Sequence, residues 1–127
     1  MKSRDHQAPR PAALILVDHG SRAPEANALV ERVADAVRAR GGFDLVYAAH
    51  MELAEPSLAC AVREAVAAGA ASLTVVPYFL APGRHASVDL PRIVAEVAGD
   101  VQVRHAAPLG FDEALVDLVQ RRAAEAR

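Results

Sequence analysis

The stretch "ALILVDHGSRAPEANALVERVADAVRARGG", residues 13–42, decides the reading of the fold. Ala13 to Val17 is an unbroken apolar run, the pattern of a strand buried on both faces. It ends in Asp18-His19-Gly20-Ser21-Arg22, a polar turn with a glycine at its centre. From Pro24 to Arg40 the apolar residues Ala26, Leu29, Val30, Val33 and Val37 recur at helical spacing, with charges on the other faces. Gly41-Gly42 closes that helix. Strand, turn and helix in this order are the building unit of a parallel sheet.

The same unit repeats outward along the chain. Phe43 to Ala49 reads as a second strand. Pro56 to Ala68 reads as a second helix, with Pro56 in its first turn and Gly69 after its end. Ser72 to Val76 is a third strand rich in β-branched residues. Pro77 to Ala86 reads as loop, with Pro82-Gly83 as its turn signal. A third helix is expected over Ser87 to Ala98, with Pro91 in its first turn. Val101 to His105 is a short fourth strand. Asp112 to Ala124 is a last helix, with Leu115, Leu118 and Val119 expected to face inward. The fold class is therefore α/β: a four-stranded parallel sheet with helices on both faces, flavodoxin-like. One domain over residues 13–127 follows an N-terminal tail, residues 1–12, in which Pro9 and Pro11 discourage regular structure.

Composition excludes several functions. Aromatics are 4% of the 127 residues and tryptophan is absent, which disfavours stacking on nucleic acid bases. A net charge of -2 with mixed signs provides no basic field for a phosphate backbone. No apolar run reaches the length of a membrane span. The start of the chain lacks the apolar core of a signal peptide. The single cysteine, Cys60, allows no internal disulfide and reads as a small core residue. These features place the protein in the cytoplasm, with no nucleic acid and no membrane among its partners.

Open parallel sheets bind ligands beyond the carboxyl ends of their strands. The segments after the four strands are residues 18–22, 50–56, 77–85 and 105–110. They hold four of the five histidines, His19, His50, His85 and His105, while His6 is in the tail. Glu52, Glu55, Arg22 and Arg84 fall in the same segments. His19 and His85 are far apart in sequence but follow strands expected to be neighbours. Two imidazoles and a carboxylate suit cobalt(II), nickel(II), iron(II) or zinc(II) and leave coordination positions open. No CxxC or HExxH pattern marks a closed structural zinc site, and no P-loop or GxGxxG is present. Each histidine at a strand end also has a plainer role as a local hydrogen-bonding residue, His50 and His105 above all. Ser21 is not in a G-x-S-x-G elbow and reads as a helix cap or turn residue.

Three motifs then give the chain a family resemblance. His19 to Asn27 reads HGSRAPEAN, Met51 to Leu58 reads MELAEPSL, and Val76 to Pro91 reads VPYFLAPGRHASVDLP. In this order, and followed by APLG at Ala107 to Gly110, they resemble the CbiX/SirB family, the class II chelatases acting on sirohydrochlorin. The resemblance runs from Leu14 to about Leu118. It implies that His19 and His85 bind an incoming divalent metal, cobalt first and nickel or iron next, with no organic cofactor. It implies Glu52 as the carboxylate that handles metal or takes protons, with Glu55 as the less favoured alternative. It further implies a carboxylate-rimmed tetrapyrrole as substrate and a homodimer for a chain of this length. Asp18 departs from the smaller or apolar residue of many relatives, and a carboxylate there is expected either to orient His19 or to point into solvent.

Metal insertion requires the ion to shed water and two pyrrole N–H protons to leave. Two neutral imidazoles with open positions hold an ion weakly enough to release it. Glu52 is the candidate proton acceptor, with His19 and His85 sharing the catalytic work. Arg22 and Arg84, with Ser21, are candidates to bind the substrate's carboxylates. Activity is expected to fall as pH drops through the ordinary histidine range, about 6.5. The rival readings are a metal carrier without catalysis, using the same His19 and His85, and a ligand-binding domain holding an anion at the strand ends.

Overall fold

The computed structural model describes residues 11–81 and 83–127, with only the backbone described for Arg84 and His85. Most of the expected tail, His6 included, and Pro82 lie outside the described residues. Eight elements alternate: β1 (Ala12–Asp18), α1 (Pro24–Arg40), β2 (Leu45–His50), α2 (Leu58–Ala67), β3 (Ser72–Pro77), α3 (Arg84–Val97), β4 (Gln102–His105) and α4 (Glu113–Glu125). The four strands form one parallel sheet in the order β2-β1-β3-β4. The expected α/β class and parallel sheet are what the structure has.

β1 is the central hydrophobic strand because its side chains alternate between two cores. Ala13, Ile15 and Val17 join Leu58, Ala61, Val62, Leu73, Val75, Leu90 and Val94 on the α2/α3 side. Leu14 and Leu16 join Val30, Ala34 and Val46 on the α1 side. Ile15 and Val17 are fully buried, each contributing about 1.5–3 kcal/mol of transfer free energy. The continuous apolar run is thus the consequence of helices on both faces.

Several local expectations are corrected. α2 begins at Leu58, not Pro56, because the Ser57 hydroxyl caps it by accepting from the Cys60 amide at 3.1 Å. Pro56 is used otherwise: its carbonyl accepts from the His50 amide at the sheet edge. α3 begins at Arg84, three residues before the expected start, so Arg84 and His85 lie in its first turn and not in a loop. Pro91 is consequently inside the helix. Pro91 has no N–H to offer the carbonyl of Ser87, four residues before it, and Ser87 is an exposed residue. Cys60 is exposed, since the 58, 61, 62, 65 spacing of the buried α2 residues puts position 60 outside. Val119 is 65% exposed, and no residue of α4 is buried.

Candidate active site

The register brings three strand tips together. Asp18 pairs with His50 across β1/β2, and Val17 pairs with Pro77 across β1/β3. Backbone hydrogen bonds continue past the strands. The Met51 amide donates to the Asp18 carbonyl at 2.9 Å, and the Glu52 amide to the His19 carbonyl at 3.2 Å. The Tyr78 amide donates to the Val17 carbonyl at 2.6 Å. The turns after β1, β2 and β3 are therefore one continuous hydrogen-bonded platform.

Gly20 makes the closest approach on this platform. Its φ is +90°, a region that side-chain-bearing residues rarely adopt. A Cβ there would lie 1.8 Å from the Glu52 carbonyl oxygen and 3.3 Å from the His50 Cβ. Leu53, next to Glu52, also has a positive φ of 69° and completes the tight turn.

His19 is exposed at the tip, and its ring stacks on Phe79 with centroids 4.3 Å apart and planes 22° from parallel. Phe79 belongs to the segment after β3, so one strand-end turn fixes the ring presented by another. A cavity of about 420 Å³ opens here, lined by His19, Met51, Glu52, Gly83, Ala86, Asp89 and Ile93. It joins the turns after β1 and β2 to the start of α3, where Arg84 and His85 follow Gly83. His19 and Glu52 thus share one cavity. The side chains of Arg84 and His85 lie outside the described residues.

The other expected residues are placed differently. Ser21 is bound into its own turn: its hydroxyl accepts from the Ala23 amide at 3.0 Å, and its backbone pairs both ways with the Asn27 side chain. Ala23, not Ser21, is the helix cap. Arg22 is exposed before α1, and neither it nor Ser21 lines the cavity. The Glu55 carboxylate accepts from the Ser57 amide at 3.3 Å, beside the start of α2 and off the cavity wall. His105 ends the edge strand β4 and borders a second, smaller cavity with Phe79, Leu90 and Pro108. Partial burial there holds its pKa below the ordinary 6.5.

Asp18 does not orient His19. Its carboxylate meets His50 Nδ1 at 2.6 Å, and the His50 ring is fully buried. The opposite nitrogen, Nε2, has no hydrogen-bond partner among the described residues. The signal for this pair was the identical strand-terminal position of both residues, which acquires meaning only once β1 and β2 are known to be neighbours in register. Phe79 and Asp89 are likewise site residues that sequence patterning passed over. No group of three metal-ligating side chains is preassembled among the described residues.

The CbiX family model matches residues 13–126. The chain is 40% identical over 112 residues to the chloroplastic sirohydrochlorin ferrochelatase of Arabidopsis thaliana, covering 86% of this chain and 50% of that protein. It is 32% identical over 139 residues to the sirohydrochlorin cobaltochelatase of Methanococcus maripaludis, covering 87% of this chain and 96% of that one. Among solved structures, the sirohydrochlorin chelatase SirB from Bacillus subtilis subspecies spizizenii, in complex with cobalt, superposes with a TM-score of 0.83 at 27% identity. That match covers 91% of this chain and 50% of SirB. The chain therefore spans about half the length of the plant and Bacillus relatives and nearly all of the archaeal one. With a family match across almost the whole described fold, the chain belongs to the CbiX family.

Proposed function

We propose that this protein is an ATP-independent chelatase that inserts a divalent metal into sirohydrochlorin. Cobalt is the leading metal, for a cobalamin-type cofactor, and iron or nickel are the alternatives. The observation that carries the reading is the shared cavity of His19 and Glu52 at the start of α3, in a chain of the CbiX family. Relatives named for cobalt and for iron support both metals. The metal is a substrate here, so the protein has to hold it weakly and release it.

In this reading His19 and His85 receive the ion, each as a neutral imidazole with coordination positions left open. Phe79 limits the rotation of the His19 ring, so the imidazole is already oriented when the ion arrives. Glu52 takes the pyrrole protons. It is exposed and lines the cavity, whereas Glu55 is occupied at the α2 start, which favours Glu52 for the task. Arg22 and Arg84 clamp carboxylates on the rim of the tetrapyrrole. Ser21 keeps its hydroxyl proton free to donate to the same rim, because its oxygen is the acceptor for Ala23.

The domain from about residue 13 onward carries the activity and works as a homodimer. α4 has no buried residue, and Phe111 and Val119 are 84% and 65% exposed, apolar surface that a second copy would cover. We place it in the cytoplasm. No described helix is long and apolar enough to cross a membrane, although the plant relative is chloroplastic.

The test is absorbance spectroscopy of sirohydrochlorin with cobalt(II) and no nucleotide, comparing wild type, a His19→Ala/His85→Ala double variant and no protein. Faster metallation by wild type alone is the expected result. A wild type that binds cobalt but leaves the metallation rate at the no-protein level with cobalt, nickel and iron alike is a carrier, and the chelatase reading fails.

A further inference from the structure

We propose that Asp89 is a third metal-handling residue, whose carboxylate receives the hydrated divalent cation in the cavity before it reaches His19. The inference rests on the chelatase reading above. Asp89 lines the same cavity as His19 and Glu52. Its place there follows from the helix and not from one side-chain rotamer: Ala86, Asp89 and Ile93 all line the cavity, at the 3- and 4-residue spacing of a single helix face. The two flanking members of that stripe are apolar, so the carboxylate is its one charged member. Asp89 also follows His85 by four residues, about one turn along α3 on the same side of the helix.

Among the described residues the carboxylate is held by one open ion pair. Its described partner is Arg92 at 3.3 Å, with side-chain exposures of 55% for the arginine and 34% for the aspartate. A pair this open contributes little and yields readily to a divalent ion. Because no three-ligand group is preassembled among the described residues, His19, Glu52 and Asp89 do not converge on one bare ion. They instead face a space of about 420 Å³, into which a cation with six waters, at about 30 Å³ each, fits. Carboxylate oxygens suit such an ion through its water shell, and imidazole then competes for the inner sphere. A carboxylate ahead of the histidines raises the local concentration of cation without trapping it.

The experiment measures cobalt(II) affinity by titration calorimetry without tetrapyrrole. It also measures KM for cobalt, KM for sirohydrochlorin and kcat, for wild type, Asp89→Asn, Asp89→Glu and Arg92→Gln. Asp89→Asn is expected to raise the cobalt Kd and KM about tenfold, with the sirohydrochlorin KM and kcat at saturating cobalt within about twofold of wild type. Asp89→Glu, which keeps the carboxylate, recovers most of the loss. Arg92→Gln, which removes the same ion pair, leaves the cobalt values unchanged. Wild-type cobalt values in Asp89→Asn overturn the proposal. So does an equal loss in Arg92→Gln, which assigns the effect to the ion pair. A wild type that neither binds nor inserts cobalt, nickel or iron overturns the chelatase reading itself, which separates that failure from a failure confined to Asp89.

Discussion

Gly20 and Glu52 touch through their backbones: a Cβ on Gly20 would lie 1.8 Å from the Glu52 carbonyl oxygen. The glycine allows the turn carrying His19 to lie flat against the turn carrying Glu52. Gly20→Ala is expected to cost about 2–5 kcal/mol, from the left-handed backbone and the forced separation together. It should also lower chelation by moving Glu52 relative to His19. Gly41→Ala is the control, since Gly41 has a φ of 81° but nothing within 4 Å of a new Cβ. Urea midpoints for the two variants check this, and equal losses would remove the argument from close approach.

The stack of His19 on Phe79 leads to a second expectation. Aromatic pairs contribute about 0.5–1.5 kcal/mol beyond burial, which corresponds to roughly two- to tenfold in a rate. Phe79→Leu should lower kcat/KM for cobalt insertion by about that factor, together with a fall of a few degrees in melting temperature because Phe79 also packs against the core. His19→Ala should reduce insertion to near the uncatalysed rate. Steady-state kinetics at fixed pH distinguishes the two effects.

The buried Asp18–His50 pair predicts a non-additive double variant. Asp18→Ala leaves a fully buried imidazole with neither nitrogen bonded, at about 1–3 kcal/mol. Asp18→Ala/His50→Phe replaces the pair by an apolar ring of similar shape and should recover most of that loss. Chemical denaturation of both variants decides it. A double variant as unstable as the sum of the single changes would mean that the pair is not the coupled unit.

His105 predicts how stability depends on pH. Burial lowers its folded pKa below 6.5, so the unfolded chain binds its proton first on acidification. Its contribution is fully present above pH 6.5 and is lost as pH falls through the lower folded value. The stability of wild type relative to His105→Gln should therefore decrease between pH 7.5 and pH 5. Denaturation midpoints at the two pH values check the sign, and an unchanged difference counts against it.

Cys60 offers a simple probe of the fold. It is exposed on the outer side of α2 and does not line the cavity. A thiol reagent should modify it in the folded protein without loss of chelation. A thiol that reacts only after denaturation would place it in the core.

Much of this was legible in the linear chain. The buried β1 run, the α1 spacing and the strand-turn-helix repetition follow from local pattern, because a parallel sheet covered on both faces demands continuous apolar strands. The helix starts were less legible. Ser57 displaced Pro56 because a side-chain cap depends on hydroxyl geometry, and α3 contains Pro91 at a place where the residue that loses its donor, Ser87, is exposed. Cys60 and Val119 were misplaced for a common reason: small or apolar residues are also tolerated on a surface face.

The sequence by itself determined the fold class and the four segments where function gathers, since periodicity and turn chemistry act over a few residues. Strand order and register decided which groups in those segments meet. They paired Asp18 with His50 and not with His19, set Phe79 under the His19 ring, and placed Asp89 in the cavity with His19 and Glu52. Those contacts span 32 to 70 residues of chain. Only the packing of the sheet and its helices brings such distant groups within a few ångströms, where hydrogen bonds, stacking and metal chemistry operate.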